Sequence, residues 1–345
     1  VVRNITLALN NLTGSLPPEM SLLSGLQSVI LWRNEITHSI PSSLWNLTGL
    51  KQFFVTFNKM TGTIPNFLVN WSKAEEMSFD SNYLSGTIPT VLGSLQSLKG
   101  LSFMDNELTG TIPDSLARLS NIEWLGLGHN ELTGTIPSTL NNLSDLESLF
   151  LGGNNLSGPI SFIGGSFPKL LELDLGNNGF TGTIPESITS YKNLQRLILH
   201  ENNLTGTLPF PVQNLSSMEW LSLFSNNLEG HVLDSVVGMQ SLRWIYLWNN
   251  TFDGTIPYDI GALESLEEFS VHDNFFTGTL PSSLGNLFNL TTLDIRSNYF
   301  NGSLPGSLSN LSSRAFLFLG FNSLTGNLDF LCNSSHALLM ADCHP

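Results

Sequence analysis

Residues 122–137 read I-E-W-L-G-L-G-H-N-E-L-T-G-T-I-P, and residues 146–154 repeat the front half as L-E-S-L-F-L-G-G-N. Aligned on the Asn, the string recurs at Asn10, Asn34, Asn58, Asn82, Asn106, Asn130, Asn154, Asn178, Asn202, Asn226, Asn250, Asn274, Asn298 and Asn322, a step of 24 residues with none missed. Fourteen such units account for 336 of the 345 residues. L-x-L is a period-two strand with its leucines inward, and a strand that returns every 24 residues in the same sense pairs in parallel with its neighbours. The Asn stands where the chain turns inward, so its buried amide must bond neighbouring backbone groups, and fourteen of them form a ladder. In Leu132 to Pro137 the Gly permits an unusual backbone conformation, and the Pro ends a second short strand and opens a turn on the outer face. The reading is an α/β repeat solenoid over 1–329 with a C-terminal cap over 330–345.

These residues resemble the plant-type leucine-rich repeats of receptor-like kinases, receptor-like proteins and polygalacturonase-inhibiting proteins, whose hallmark is L-T-G-x-I-P. The resemblance implies a right-handed superhelix with a concave parallel β-sheet, and a short second sheet and 3₁₀ turns on the convex side. It also implies an extracellular protein that recognises a peptide, a protein or a wall polysaccharide. Departures fall at His38 in place of Gly, at Ser161 in place of Pro followed by Gly164-Gly165-Ser166, and at Val232-Leu233 in place of Ile-Pro. Each is expected to bend or bulge the coil. Arg314 takes an inward Leu position of the last repeat, which suggests a core opening towards a cap. The family's paired-cysteine N-terminal cap is missing, since the sequence begins inside a repeat at Val2, Ile5 and Leu7. The tail L-C-N-S-S-H-A-L-L-M-A-D-C is similar to the ends of secreted or surface-anchored leucine-rich-repeat proteins of diatoms and related algae.

With 13 Lys+Arg against 28 Asp+Glu the chain carries a net charge of −15, which excludes a phosphate backbone or an anionic leaflet as partner. Hydrophobic residues make up 41%, so disorder is excluded too. Cys332 and Cys343 lie together at the C-terminal end. They read either as a disulfide, implying an oxidising compartment, or as two free buried thiols. Asn-x-Ser/Thr occurs at Asn46, Asn70, Asn142, Asn155, Asn203, Asn214, Asn249, Asn289, Asn301, Asn310 and Asn333, and also at Asn4 and Asn11. Secretion is the consistent reading, although the consensus N-N-L-T-G generates sequons as a by-product. Asn46, Asn142, Asn214, Asn289 and Asn310, on the convex side and flank, should be better acceptors than Asn4 on the concave strand. The sequence shows neither a signal peptide nor an apolar run of membrane-spanning length, and reads as a processed ectodomain or a fragment of one.

No catalytic motif stands out, and no cofactor is called for. His200 and His272 take equivalent positions three repeats apart, roughly 14 Å at the usual strand spacing, too far to share a metal. Glu76, Asp80 and Asp105 lie on neighbouring strands and read as a Ca²⁺ site or, more plainly, as a solvated acidic face.

The variable positions carry more. Residues six, four, two and one before the Asn should face the concave solvent or its edge, and Trp32, Trp124, Trp220, Trp244 and Trp248 fall there. Trp220, Phe224, Trp244, Tyr246 and Trp248 form one group, flanked by Arg196 and His200 before and by Glu268, His272, Asp273, Asp294 and Arg296 after. A contiguous aromatic patch rimmed by charge marks a ligand-binding site, while the plain reading is aromatics that suit a pleated surface. Trp32, Phe54 and Phe57 form a second group, and Phe316, Phe318 and Phe321 a third that a cap or a neighbouring module should cover. The expected function is non-enzymatic recognition of an extracellular peptide, protein or glycan, with a co-receptor or self-assembly contact as a further partner. The alternative is a structural or adhesive surface protein. A remoter one is ice binding by the threonine columns of T-G-T, which also read as plain β-forming consensus.

Overall fold

The computed structural model describes residues 2–164, 167–209, 215–312, 314–327 and 338–340. Two compact units make up the chain, Val1–Gly179 and Phe180–Pro345. In the first, three-residue strands from Asn4–Thr6 to Glu172–Asp174 run parallel, each one repeat on from the last, as with Trp124 opposite Ser148 and Leu125 opposite Leu149. In the second, strands from Arg196–Ile198 to Phe316–Phe318 do the same, and the backbone of Leu338–Met340 pairs beyond the last of them. These strands form the primary sheet. A second row of short strands, such as Glu107–Thr111 and Glu131–Gly134, and then, in most of the described coils, a 3₁₀ turn complete the repeat. The architecture is the expected repeat solenoid.

One coil shows how the consensus builds it. Leu125 and Leu127 are fully buried, and the chain then turns through His129 at φ +53. In each repeat the residue before the Asn adopts this left-handed conformation, which costs a non-glycine residue on the order of 1 kcal/mol. The Asn offsets that cost. Asn154 donates from Nδ2 to the carbonyls of Leu127 and Leu151, each at 3.0 Å, and accepts from the Leu132 N–H at 3.0 Å. Three backbone groups from adjacent coils are thereby satisfied by one amide, and the contact repeats along each unit.

Gly134 follows at φ +81, where a Cβ would stand 3.0 Å from the Thr111 methyl of the preceding coil. Pro137, extended at φ −61, then precedes the 3₁₀ turn Ser138–Asn142, which buries Leu140. The threonine columns have internal work. Thr109, Thr133, Thr205 and Thr277 donate to a glycine carbonyl one coil back, and the second Thr of T-G-T lays its methyl over the next coil's Gly.

The departures behave unequally. His38 keeps the glycine conformation at φ +65 and remains inside the strand Glu35–His38, so no bulge forms there. Around Val232-Leu233, where proline is lacking, the 3₁₀ turn is replaced by one turn of α-helix, Val232–Val236. The second row of that unit is in two pieces, parted between Thr251–Phe252 and Thr277–Thr279. Residues 165–166 of the Ser161 departure lie outside the described residues. Arg314 corrects the sequence reading. It is exposed, and Ala315 is buried in its stead, its N–H bonded to the Ser312 carbonyl at 2.8 Å, where the other coils place the aligned Leu. A one-residue shift admits the small side chain and leaves the cation in solvent, sparing the core a buried charge.

Candidate ligand-binding face

All twelve predicted face residues lie on the primary sheet of the second unit or on the turn that ends its strands. Parallel in-register pairing sets Arg196 opposite Trp220, Trp220 opposite Trp244, and Trp244 opposite Glu268. Because every strand repeats with the same phase, side chains at one consensus position form columns across the sheet.

The column six residues before the Asn is an aromatic pair with cations on it. The Trp220 and Trp244 rings lie 5.0 Å apart, inclined by 40°. The Arg196 guanidinium sits 5.1 Å from the Trp220 ring centre, and the Arg243 guanidinium 4.3 Å from that of Trp244. Arg243 is held from its other side by an ion pair with Glu267. Tyr246 donates its hydroxyl to Glu268 at 2.8 Å, and burial, reinforced by that carboxylate, pushes the phenol well above its ordinary range.

The column two residues before the Asn is a continuous ring stack. His200, Phe224, Trp248 and His272 succeed one another at 4.3, 4.1 and 5.0 Å, with planes within 5°, 11° and 10° of parallel. The two histidines therefore bracket a pair of aromatics. His200 Nδ1 is 3.1 Å from the Ser222 hydroxyl, and His272 Nδ1 is 2.6 Å from Asp273. Asp294, expected on the charged rim, has a side chain only 8% exposed. It chelates Arg296 through Nε at 2.9 Å and a terminal nitrogen at 2.6 Å, and that guanidinium lies 5.0 Å from the Phe318 ring centre. Four before the Asn, Ser222 and Ser270 are likewise buried, and the half-buried Tyr246 stands in register between them, its ring 5.5 Å from that of Trp220, so that column is two small residues parted by an aromatic one.

Arg243 was not among the predicted residues. Its signal is the opposite charge one coil on, at Glu267, and Lys51 with Glu75 and Lys99 with Glu123 repeat the device seven residues before the Asn. The acidic group of the first unit is mostly self-contained. Asp80 accepts from the Ser78 hydroxyl at 2.9 Å and the Met104 N–H at 2.8 Å, and burial raises its pKa despite both bonds. Among the described residues no three His, Cys, Asp or Glu side chains are grouped to hold a metal ion. Trp32 and Phe57 share the Arg33 guanidinium at 6.0 and 5.2 Å, and Phe316 stacks on Phe318 at 6.3 Å.

Asn46, Asn142, Asn155, Asn203, Asn289, Asn301 and Asn310 are exposed, and Asn70 is half-buried. Asn249 is exposed on the turn beside the ring stack, with Nδ2 3.1 Å from the Ser225 hydroxyl. Asn214, Asn333, Cys332 and Cys343 lie outside the described residues, as does most of the cap expected over 330–345.

Comparison with known proteins agrees with this architecture. Leucine rich repeat family profiles match residues 72–132 and 192–252, and also 25–47, 169–191, 265–287 and 289–311. No curated protein sequence matches. Among solved structures, the plant peptide hormone receptor RGFR1 in complex with RGF2 is similar at 25% identity and a TM-score of 0.83, over 99% of this chain and 62% of that one. A TDR receptor is similar at 26% identity and a TM-score of 0.86, over 99% and 67%. The ectodomain of the Arabidopsis receptor kinase HAESA, in complex with an N-terminally extended IDA peptide hormone, is similar at 28% identity and a TM-score of 0.61, over 92% and 66%. The present chain thus spans about two thirds of the length of these ectodomains. With its fourteen L-T-G-x-I-P-type coils, its asparagine ladder and these matches, the chain belongs to the leucine-rich-repeat family, in the plant-type form found in receptor ectodomains.

Proposed function

We propose that the second unit's primary sheet binds an extended peptide segment of an extracellular ligand, without catalysis, through the two aromatic columns and the Ser222–Tyr246–Ser270 column between them. The observation that carries this reading is how the rings are oriented. In the His200–His272 column each inner ring spends both faces on its neighbours, and in the Trp220–Trp244 column guanidinium groups cover ring faces. Sugars are gripped by stacking on open aromatic faces, whereas ring edges suit the side chains of a peptide. The similar plant receptors crystallised with peptide hormones support the same class of ligand. Thirteen sequons support a secreted or cell-surface setting. Among the described residues no helix is long and apolar enough to cross a membrane.

The test is a peptide and glycan array probed with the secreted, glycosylated chain, with the Trp244→Ala/Trp248→Ala double variant run alongside. A peptide hit should weaken by at least about tenfold in the variant, as for paired aromatic hot spots, and survive Trp32→Ala. A glycan hit, or a peptide hit indifferent to the double variant, would overturn the assignment.

A further inference from the structure

We propose a second binding site, on the opposite flank of the second unit, that takes the guanidinium of an arginine side chain presented by a protein partner. It is a cavity of about 400 Å³ where proline is lost from the consensus and the α-helical turn Val232–Val236 replaces the 3₁₀ turn. Leu208 and Val232 give it apolar walls, and Glu229, Asp234 and Asp253 bring three carboxylates to its lining. No lysine or arginine is in that lining. His231 stands where other coils carry Thr and covers Gly254 as those threonines cover theirs, with ring carbons 3.1 Å from where a Cβ would stand. Its Nε2 lies 3.4 Å from Asp253 and its Nδ1 3.8 Å from Asp234, so the imidazole spaces the two acids.

An acidic cluster on its own is a solvated surface. The independent observation is Ser235, which lines the same cavity, is 1% exposed, and has an Oγ without a hydrogen-bond partner among the described residues. A buried hydroxyl left unpaired destabilises the fold, and a ligand that meets it recovers that cost. The acceptors are spread around the cavity, and among the described residues no three His, Cys, Asp or Glu side chains are grouped for a metal. A planar fork of five donors suits that spread better than a compact ion does. The net charge of −15 draws a cation to it.

The experiment titrates the whole chain with N-acetyl-arginine N-methylamide and with the uncharged citrulline analogue of the same shape. The read-out is the His231 imidazole NMR signal, assigned with His231→Gln. The arginine probe should shift that signal saturably and the citrulline probe should not. Asp253→Asn should weaken the arginine probe about three- to fivefold, as expected of a half-exposed carboxylate. Ser235→Ala should weaken it about fivefold while raising the melting temperature of the free chain, because an unpaired buried hydroxyl is removed. The Trp244→Ala/Trp248→Ala variant should bind the probe as the parent does, which separates this site from the peptide face. Equal shifts with both probes, saturation of the same signal by Ca²⁺ alone, or a Ser235→Ala variant with unchanged affinity would overturn the proposal.

Discussion

Asp80 shows how a single residue on the sheet face trades solvation for order. Burial raises its pKa above the ordinary 3.8, against the opposing pull of the Ser78 hydroxyl and the Met104 N–H, and nearby Asp105 adds to the rise. The native chain therefore binds this proton more tightly than the unfolded chain, so the ionised carboxylate works against folding. As pH climbs from about 3.8 through the raised native value, stability is lost, and it stays lost at neutral pH. Asp80→Asn keeps an oxygen for the Met104 N–H and removes the charge. The variant should be more stable than the parent at pH 7, with the difference closing below about pH 4, where both states of Asp80 are protonated. Urea midpoints across that range would check it, and a variant less stable at pH 7 would show that Asp80 is ionised at little cost. Arg314 teaches the complementary lesson. Alignment places it inward, but the chain turns it out to solvent and buries Ala315 just ahead of the strand Phe316–Phe318, whose register is unchanged, because a local adjustment costs less than an unpaired buried guanidinium.

Each coil is legible in the sequence because nearly every consensus residue has one steric or hydrogen-bonding task. The Asn ladder, the glycine conformation and the proline that opens the 3₁₀ turn follow from N-x-L-T-G-x-I-P taken in order, whereas the left-handed residue before the Asn, which is Leu9, Phe57 or Glu201 in different coils, carries no mark in the sequence. What sequence alone did not yield is how coils use one another's side chains, such as the Thr111 methyl 3.0 Å from the missing Cβ of Gly134. That contact makes a prediction. Gly134→Ala is strained by φ +81 and by the methyl together, and should cost about 1–3 kcal/mol, whereas strain in φ alone costs about 1. Thr111→Gly in the same chain should return the part due to the methyl but not the part due to φ. Denaturant midpoints for the two single variants and the pair would measure the coupling, and strict additivity would show that the two coils do not touch there. The aromatic columns were legible for the same reason. A fixed register turns sequence spacing into spatial adjacency, while ring tilt and the Arg243 cover arise only from packing.

At the scale of the molecule, the 24-residue period decides the fold, and the sequons mark where a glycan would cover its surfaces. Off the primary sheet the exposed acceptors fall in two sets: Asn46, Asn142, Asn289 and Asn310 in or next to the 3₁₀ turns, and Asn155, Asn203 and Asn301 on the second-row strands, with Asn11 just ahead of the first of those strands. On the primary sheet and its turns only Asn4 and Asn249 among the described residues carry the signal. A glycan is bulky and hydrated, so flank acceptors leave an aromatic face accessible, whereas one at Asn249 stands at the edge of the Phe224–Trp248–His272 stack. Glycopeptide mapping of the chain from a secretory host should find the turn and second-row acceptors occupied, with Asn4 and Asn249 at lower occupancy. The lower value at Asn249 follows from its turn. The residue is held at φ +55, and its Nδ2, the atom a glycan must take, already lies on the Ser225 hydroxyl. If Asn249 proves fully occupied, Asn249→Gln should strengthen binding of the peptide selected on the array by opening that edge. Full occupancy with no change on removing the glycan would place the ligand elsewhere than over the stack.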